Sequence, residues 1–363
     1  MLYLVYKGNK KGDNTVIITV IEDLPTVPNP WRRHFARSLD MSIYGLIWMA
    51  FSNMVLRWHP DSNLINLLTT YICCGMMLLI EPLLLSTCGT TLGKLVFGLI
   101  IRDMDGLKLT YKQASQRTFG VFSGGLGYGI PIYNIVRGIK CYKSCAAQEP
   151  MSWEEDFTYK VKDTKTIRAI IYIGLTIPLI AITFLIILQA QMPIHRGNIT
   201  ATQYFENCND VMSYAKIDYG KYLNEQGQWV DNNFDGTFNI EMNSQPLPEH
   251  VLTISDGIVS DVKLEIEMNT NEWVTGYTSQ KYIAVISFLA AQQEMNCIRL
   301  YRSGILQTIS NDLQNYSFIE SGVRVTNKVE YSGYDTYSAP YLIPIEGQKQ
   351  YFHMIFTMEK VTQ

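Results

Sequence analysis

Two carboxylates stand where carboxylates are costly. Asp40 lies at the mouth of the apolar run LDMSIYGLIWMAFSNMVL, and Glu81 lies late in LINLLTTYICCGMMLLIEPLLL, directly before Pro82. A charge at mid-depth in a bilayer costs about 2.5–3.5 kcal/mol on insertion scales, and less near the interface. Carboxylates in such places bind protons or small cations, or form ion pairs that fix the depth of a helix. Arg33, Arg37, Asp40 and Tyr44 are spaced by four, three and four, so they share one helix face. Arg37, one turn below Asp40, can pair with it; the pair either sets helix depth or takes part in moving ions. Glu81 has no charged neighbour in its own run. Unpaired and buried, it would hold a proton and could carry one; at the cytosolic interface it would instead reach Lys94 or water.

The elements that must position these residues are membrane spans, each needing about 20 apolar residues. Three stretches qualify: Leu39 to Leu56, Leu64 to Leu85, and the uncharged AIIYIGLTIPLIAITFLIILQA from Ala169, kinked at Pro178. A fourth, RTFGVFSGGLGYGIPIYNIVRGIK over 117–140, has glycines and Pro131 in its middle. Two short helical pieces meeting at that break fit it better than one crossing, as a re-entrant or interfacial hairpin. Lys and Arg in short loops set the direction. Lys7, Lys10, Lys11, Arg32, Arg33 and Arg37 precede the first span and place the N-terminus in the cytosol. Basic residues over 94–117 and 140–168 also read as cytosolic, and the last span carries everything after 190 outside. The expected fold is therefore a mainly α transmembrane bundle of three spans plus the hairpin, followed by an α+β soluble domain. Its parts are a strand-like cytosolic segment over 1–29, a membrane domain over 30–158, a cytosolic linker and final span over 159–190, and an extracytoplasmic domain over 191–363.

The connectors carry local signals. LIIRDMDGLKLTY reads as a hairpin turning at Asp105-Gly106. Thr110 opens a capping box with Gln113, starting a helix expected to lie on the membrane with Lys112 and Arg117 toward headgroups. GTTLGKLVFG is not a phosphate loop: three residues separate Gly89 from Gly93, and Leu95 follows Lys94. Gly89 and Gly93 instead have the spacing that lets helices approach closely. GGLGYG lacks both the dinucleotide-binding spacing and a flanking strand.

Taken in order, PWRRHFARSLD, the late Glu81, GTTLGKLVFGLIIRDMDGLKLTYKQASQR, GGLGYGIPIYNIV and SWEED resemble the RDD family of bacterial membrane proteins over about 30–158. The resemblance puts Arg37 and Asp40 on the first two signature positions. It puts the third acid at Glu154, with Asp156 two residues on. It also implies a multi-pass protein of the bacterial plasma membrane, and brings the idea of cation/proton transport.

The segment after residue 190 is rich in Asn, Tyr, Glu and Ser. It is expected to hold a helix over about 199–224, a second near 278–292, and strands at VKLEIEM, VRVTNKVEY and YFHMIFTMEK. Cys208 and Cys297 could form a disulfide, or Cys208 could be a buried thiol on the face of Tyr204, Phe205, Val211 and Met212. DNNFDG at 231 begins like a calcium loop but has Met242 at the twelfth position, so an Asp-Gly turn is the better reading. Cys141-x-x-x-Cys145 lacks a second ligand pair, and Cys73, Cys74 and Cys88 read as packing residues. His195, His250 and His353 are scattered, no catalytic constellation is recognisable, and no enzyme, cofactor or metal is expected. A net charge of −3 in 363 residues gives no ground for a nucleic-acid partner. The expected partners are the lipid bilayer, a second copy of the chain, and an envelope partner or ligand for the outer domain. Two functions remain: small-cation/proton transport through the membrane domain, or a membrane-anchored extracytoplasmic binding or sensing module.

Overall fold

The computed structural model describes residues 29–57, 63–163, 165–232, 245–269, 272–335 and 341–361. The strand-like pair expected at the N-terminus, and DNNFDG beyond Asn232, fall outside them. The chain divides into two compact units, Met1–Phe184 and Leu185–Gln363.

In the first unit, Pro30 opens the 25-residue helix α1 (Pro30–Met54), where its missing N–H costs nothing. Helix α2 (Asn63–Thr87) runs back antiparallel, with Tyr44 of α1 packed against Cys73 and Met77. Thr91 caps the short helix α3 (Leu92–Phe97), and Gly98 ends it in the left-handed conformation. Strand β1 (Leu99–Asp103) follows. The turn at Asp105-Gly106 forms, with Gly106 at φ 76° and Leu107 N donating to Asp103 Oδ1 at 2.7 Å. Its far arm does not become a strand, however: β1 pairs antiparallel with β2 (Phe157–Val161). The partner lies across the fold, where local turn chemistry has no say.

The Thr110–Gln113 capping box is present and starts helix α4 (Tyr111–Gly120). α4 runs into a π-helical segment, Val121–Gly125, then a 3-10 turn, Gly127–Gly129. Gly127, Tyr128 and Gly129 all have positive φ (55°, 57° and 75°), and Pro131 opens helix α5 (Pro131–Ala146). Two helical pieces do meet at the Gly/Pro break. Helix α6 (Ile167–Ala190) is apolar throughout and has little protein cover: Ile170, Ile177, Ile180 and Phe184 are each about 60% exposed. So much bare apolar surface calls for lipid. Among the described residues, two segments are long and apolar enough to cross a membrane, Leu67–Thr87 within α2 and Ile167–Ala190. The third expected span, from Leu39, lies in α1, whose first half carries Arg32, Arg33, Arg37 and Asp40.

The second unit is α+β. Five antiparallel strands stand in the order β5 (Glu249–Ser255), β6 (Ile258–Met268), β11 (Tyr351–Lys360), β8 (Val323–Ser332), β7 (Tyr316–Glu320). Period-two alternation sends Val262 and Leu264 of β6, Phe356 and Met358 of β11, and Val323 and Val325 of β8 into one core. Helix α7 (Ala201–Ala215) packs into the same core through Tyr204, Phe205, Cys208 and Val211. So does the π-helical segment Val285–Leu289, which continues helix α8 (Thr278–Ala284). α7 stops nine residues short of the expected 224, because Lys216 takes the left-handed cap and Lys221–Leu223 (β3) pairs with Trp229–Asp231 (β4). Short helices α9 (Cys297–Arg302) and α10 (Ile305–Ile309) and a small ladder of β9 (Tyr334–Asp335) with β10 (Ile343–Pro344) complete the unit.

Candidate functional site

Seven charged side chains from five parts of the first unit gather in one network. Glu81 of α2 is fully buried. One of its oxygens takes Lys94 Nζ at 2.7 Å, and Arg37 of α1 holds the carboxylate through both terminal nitrogens. Arg117 of α4, also buried, stands 3.7 Å from the same oxygen as Lys94. Asp40, 3% exposed, accepts from Thr91 Oγ1 at 2.6 Å and from Gly93 N at 2.7 Å, with Lys94 Nζ 3.8 Å away. Glu154 accepts from Arg33 at 2.9 Å and lies 3.8 Å from Arg117. Four cations thus meet three carboxylates.

This arrangement corrects two expectations. The hydrogen bonds of Arg37 go to Glu81 rather than to Asp40, because α3 docks beside Asp40 and occupies both of its oxygens. And Glu81 is not isolated: α2 brings it to three cations, so its surroundings suit a carboxylate ion rather than a lone stored proton. The alternative, Glu81 reaching Lys94, is the contact observed. Arg117 likewise does not point to headgroups; it is 4% exposed and turned inward between two acids.

Close packing makes the network possible. A Cβ on Gly93 would stand 1.9 Å from the Ala36 carbonyl oxygen, so only glycine lets α3 sit this near α1. A second set of glycines seats Trp153: a Cβ on Gly120 or Gly124 would come 2.5 or 2.6 Å from its side chain. With Trp153 wedged there, the next residue, Glu154, reaches Arg33 and Arg117. Asp156 is exposed and takes no part in these contacts. Of the expected site residues, Arg37, Asp40, Glu81 and Glu154 come together and Asp156 does not. Lys94 enters as the alternative partner of Glu81, whereas Thr91 and Arg117 were not singled out for this site, although Thr91 sits within the very stretch read as a close-approach motif.

Burial lowers the pKa of Lys94 to about 8, against the raising pull of Glu81 and Asp40. Of the four cations it is the one able to lose its proton near physiological pH, since arginine stays charged.

In the second unit, Cys208 and Cys297 are free buried thiols, not a disulfide. Burial pushes Cys208 up to about 12, so it is inert. His250 Nδ1 lies 2.9 Å from Tyr204 Oη, and burial holds the imidazole down at about 4. His195 pairs with Glu206 at 2.6 Å and His353 with Glu265 at 3.0 Å. Among the described residues, no three His, Cys, Asp or Glu side chains cluster to hold a metal.

Residues 27–196 match the family model described as RDD family. They are an RDD-family region. Arg33, Arg37, Asp40 and Glu154 all fall within it, and so do Glu81, Lys94 and Arg117, so the whole network belongs to the RDD region. No curated protein and no solved structure matches the chain. The chain thus joins an RDD-family region, holding two helices long and apolar enough to cross a membrane, to a sheet-rich C-terminal part.

Proposed function

We propose that the RDD region exchanges a small monovalent cation for a proton, with the Lys94 ammonium as the resident cation. The observation that carries this reading is the setting of Lys94 Nζ: 2.7 Å from Glu81 Oε1, 3.2 Å from Thr91 Oγ1 and 3.8 Å from Asp40 Oδ2. Once Lys94 loses its proton and swings away, those three oxygens face one vacated position of a size and chemistry suited to sodium or lithium. One proton out and one monovalent cation in leaves the charge of the network unchanged.

We further propose a multi-pass arrangement in a bacterial plasma membrane, with α1 as a third crossing, the N-terminus cytosolic and the C-terminal unit outside. Arg32 supports it, donating to the carbonyls of Asp163 at 2.6 Å and Lys165 at 3.2 Å. Arg168 bonds to the carbonyls of Leu95 and Val96 at 3.2 and 2.8 Å. These bonds gather the first turns of α1 and α6 at one end of the region. With so few spans, a pathway would run between copies in a homo-oligomer.

The test is reconstitution into liposomes with an internal pH dye, followed by sodium or lithium pulses. Flux in the wild type that is abolished in Lys94→Arg, which keeps the charge but cannot release a proton, supports exchange. Equal flux in the two, or none in the wild type, overturns it.

A second reading rests on the separate core of the C-terminal unit, which the exchange chemistry does not use. We propose that this unit binds an envelope partner or ligand. Deleting residues 195–363 would then abolish that binding while flux persists; lost flux with intact folding would instead tie the unit to transport.

A further inference from the structure

A cavity of about 890 Å³ opens beside the network, within the range of small-molecule sites. Its lining is unevenly charged. Arg33, Arg37, Lys94 and Arg117 all contribute to the wall, but Glu154 is the one network acid that does. Asp40 and Glu81 stand behind the cations, their oxygens occupied. One end of the cavity is therefore cationic. The rest is mainly apolar, with Met41, Val121, Leu126, Ile135, Ile139 and Met151 along it, and Ser38, Thr70, Asn134 and Lys143 among them.

The rim shows where the apolar end leads. Ile135 and Ile139 line the cavity and are also 66% and 53% exposed. They belong to a stripe on α5, Ile132, Ile135, Val136, Ile139 and Tyr142, whose spacings of three and four keep it on one helix face. Lys140 of the same helix lies beside that stripe, and Lys143 stands on it one turn past Ile139, lining the cavity at its end. A helix so divided lies in a membrane interface with its apolar stripe toward the acyl chains. The cavity then opens to lipid at the rim and ends on four cations.

We infer that this cavity binds an anionic amphiphile, an acyl chain along the apolar wall with its negative headgroup against Arg33, Arg37, Lys94 and Arg117. A zwitterionic headgroup would bring a second cation to an end already cationic, so acidic headgroups are preferred. This site stands apart from cation exchange: it concerns the open face of the cations, not the oxygens behind them.

Gly138 supplies a clean variant. It lines the cavity, and no atom lies within 4 Å of where its Cβ would stand. Gly138→Phe fills the cavity without touching the network. Full-length protein, delipidated in a neutral detergent, is titrated with phosphatidylglycerol, oleate or phosphatidylcholine and examined by native mass spectrometry. The expected result is one retained acidic lipid per chain, held roughly tenfold more tightly than phosphatidylcholine. It should be lost in Gly138→Phe at an unchanged melting temperature and weakened in Arg33→Gln. Retention of both acidic ligands, or of one, supports the site, and the arm that binds identifies phospholipid or free fatty acid as its source. Equal retention of phosphatidylcholine, or an acidic ligand bound as well by Gly138→Phe, overturns it. Should Gly138→Phe fail to fold, Ile139→Glu, which sets an acid at the exposed rim, is expected to expel the acidic ligand and serves in its place.

Discussion

The carbonyl oxygen of Ala36 stands where a side chain on Gly93 would have to begin, 1.9 Å from an added Cβ. That contact fixes the approach of α3 to α1, and with it the bond from Gly93 N to Asp40 and the position of Lys94. A backbone oxygen cannot swing aside as a side chain can. Gly93→Ala should therefore cost about 3 kcal/mol, the upper end for overpacking, read as a fall in melting temperature of the detergent-purified chain. Gly75→Ala, with nothing within 4 Å, is the control and should leave it unchanged or slightly raised.

Trp153 positions Glu154. Gly124→Leu should unseat the ring and cut Glu154 off from Arg33 and Arg117. Hydrogen exchange over 151–155 should rise in this variant, and also in Trp153→Ala. If exchange rises only in Trp153→Ala, the glycine seat is not what holds the ring.

Lys94 sets a pH window. Cation binding to the vacated oxygens needs neutral Lys94, whose pKa is about 8. Apparent sodium affinity should weaken about tenfold per unit as pH falls below 8, and level off above it. In Lys94→Gln, which has no proton to exchange, flux should cease while sodium binding persists without this pH dependence, as sodium titrations at several pH values would show.

His250 makes the second unit acid-sensitive. Its folded pKa, about 4, lies below the ordinary value of about 6.5, so the unfolded chain binds the extra proton between them. Stability should be full above about pH 6.5 and fall as pH drops toward 4, by about 3 kcal/mol at most. Protection factors of β5 and α7 amides in the intact protein, corrected for the intrinsic pH dependence of exchange, should fall from pH 7 to 5. His250→Gln should lose the Tyr204 contact at both pH values but flatten that slope.

Lys281 and Asp312 form a buried pair in the second unit, and Thr278 also donates to Asp312. Removing one partner strands the other charge, so Lys281→Met should cost about 3–5 kcal/mol. Lys281→Met combined with Asp312→Leu should recover part of that loss in chemical denaturation.

What the sequence disclosed follows the range of each signal. The Thr110 capping box, the Gly/Pro break before Pro131 and the apolar face around Cys208 are written in neighbouring residues, and all three appear as read. The site residues Arg37, Asp40 and Glu81 could be named from charge in apolar surroundings, and Glu154 from the family resemblance. Apart from Lys94 beside Glu81, their partners could not. Helix spacing pairs Arg37 with the residue one turn away, whereas its guanidinium crosses to another helix 44 residues along the chain. The burial of Arg117 and the union of β1 with β2 likewise depend on tertiary docking. The end of α7 at Lys216 was missed because no glycine or proline marks it.

The ladder between Leu99–Asp103 and Phe157–Val161 has a topological corollary. Two strands joined rung to rung occupy one depth, so in the proposed membrane arrangement everything from Met104 to Asp156 departs from and returns to the same leaflet. Under that arrangement its passages through the bilayer come in an even number, none included, and a solitary traverse by the glycine-rich stretch does not fit it.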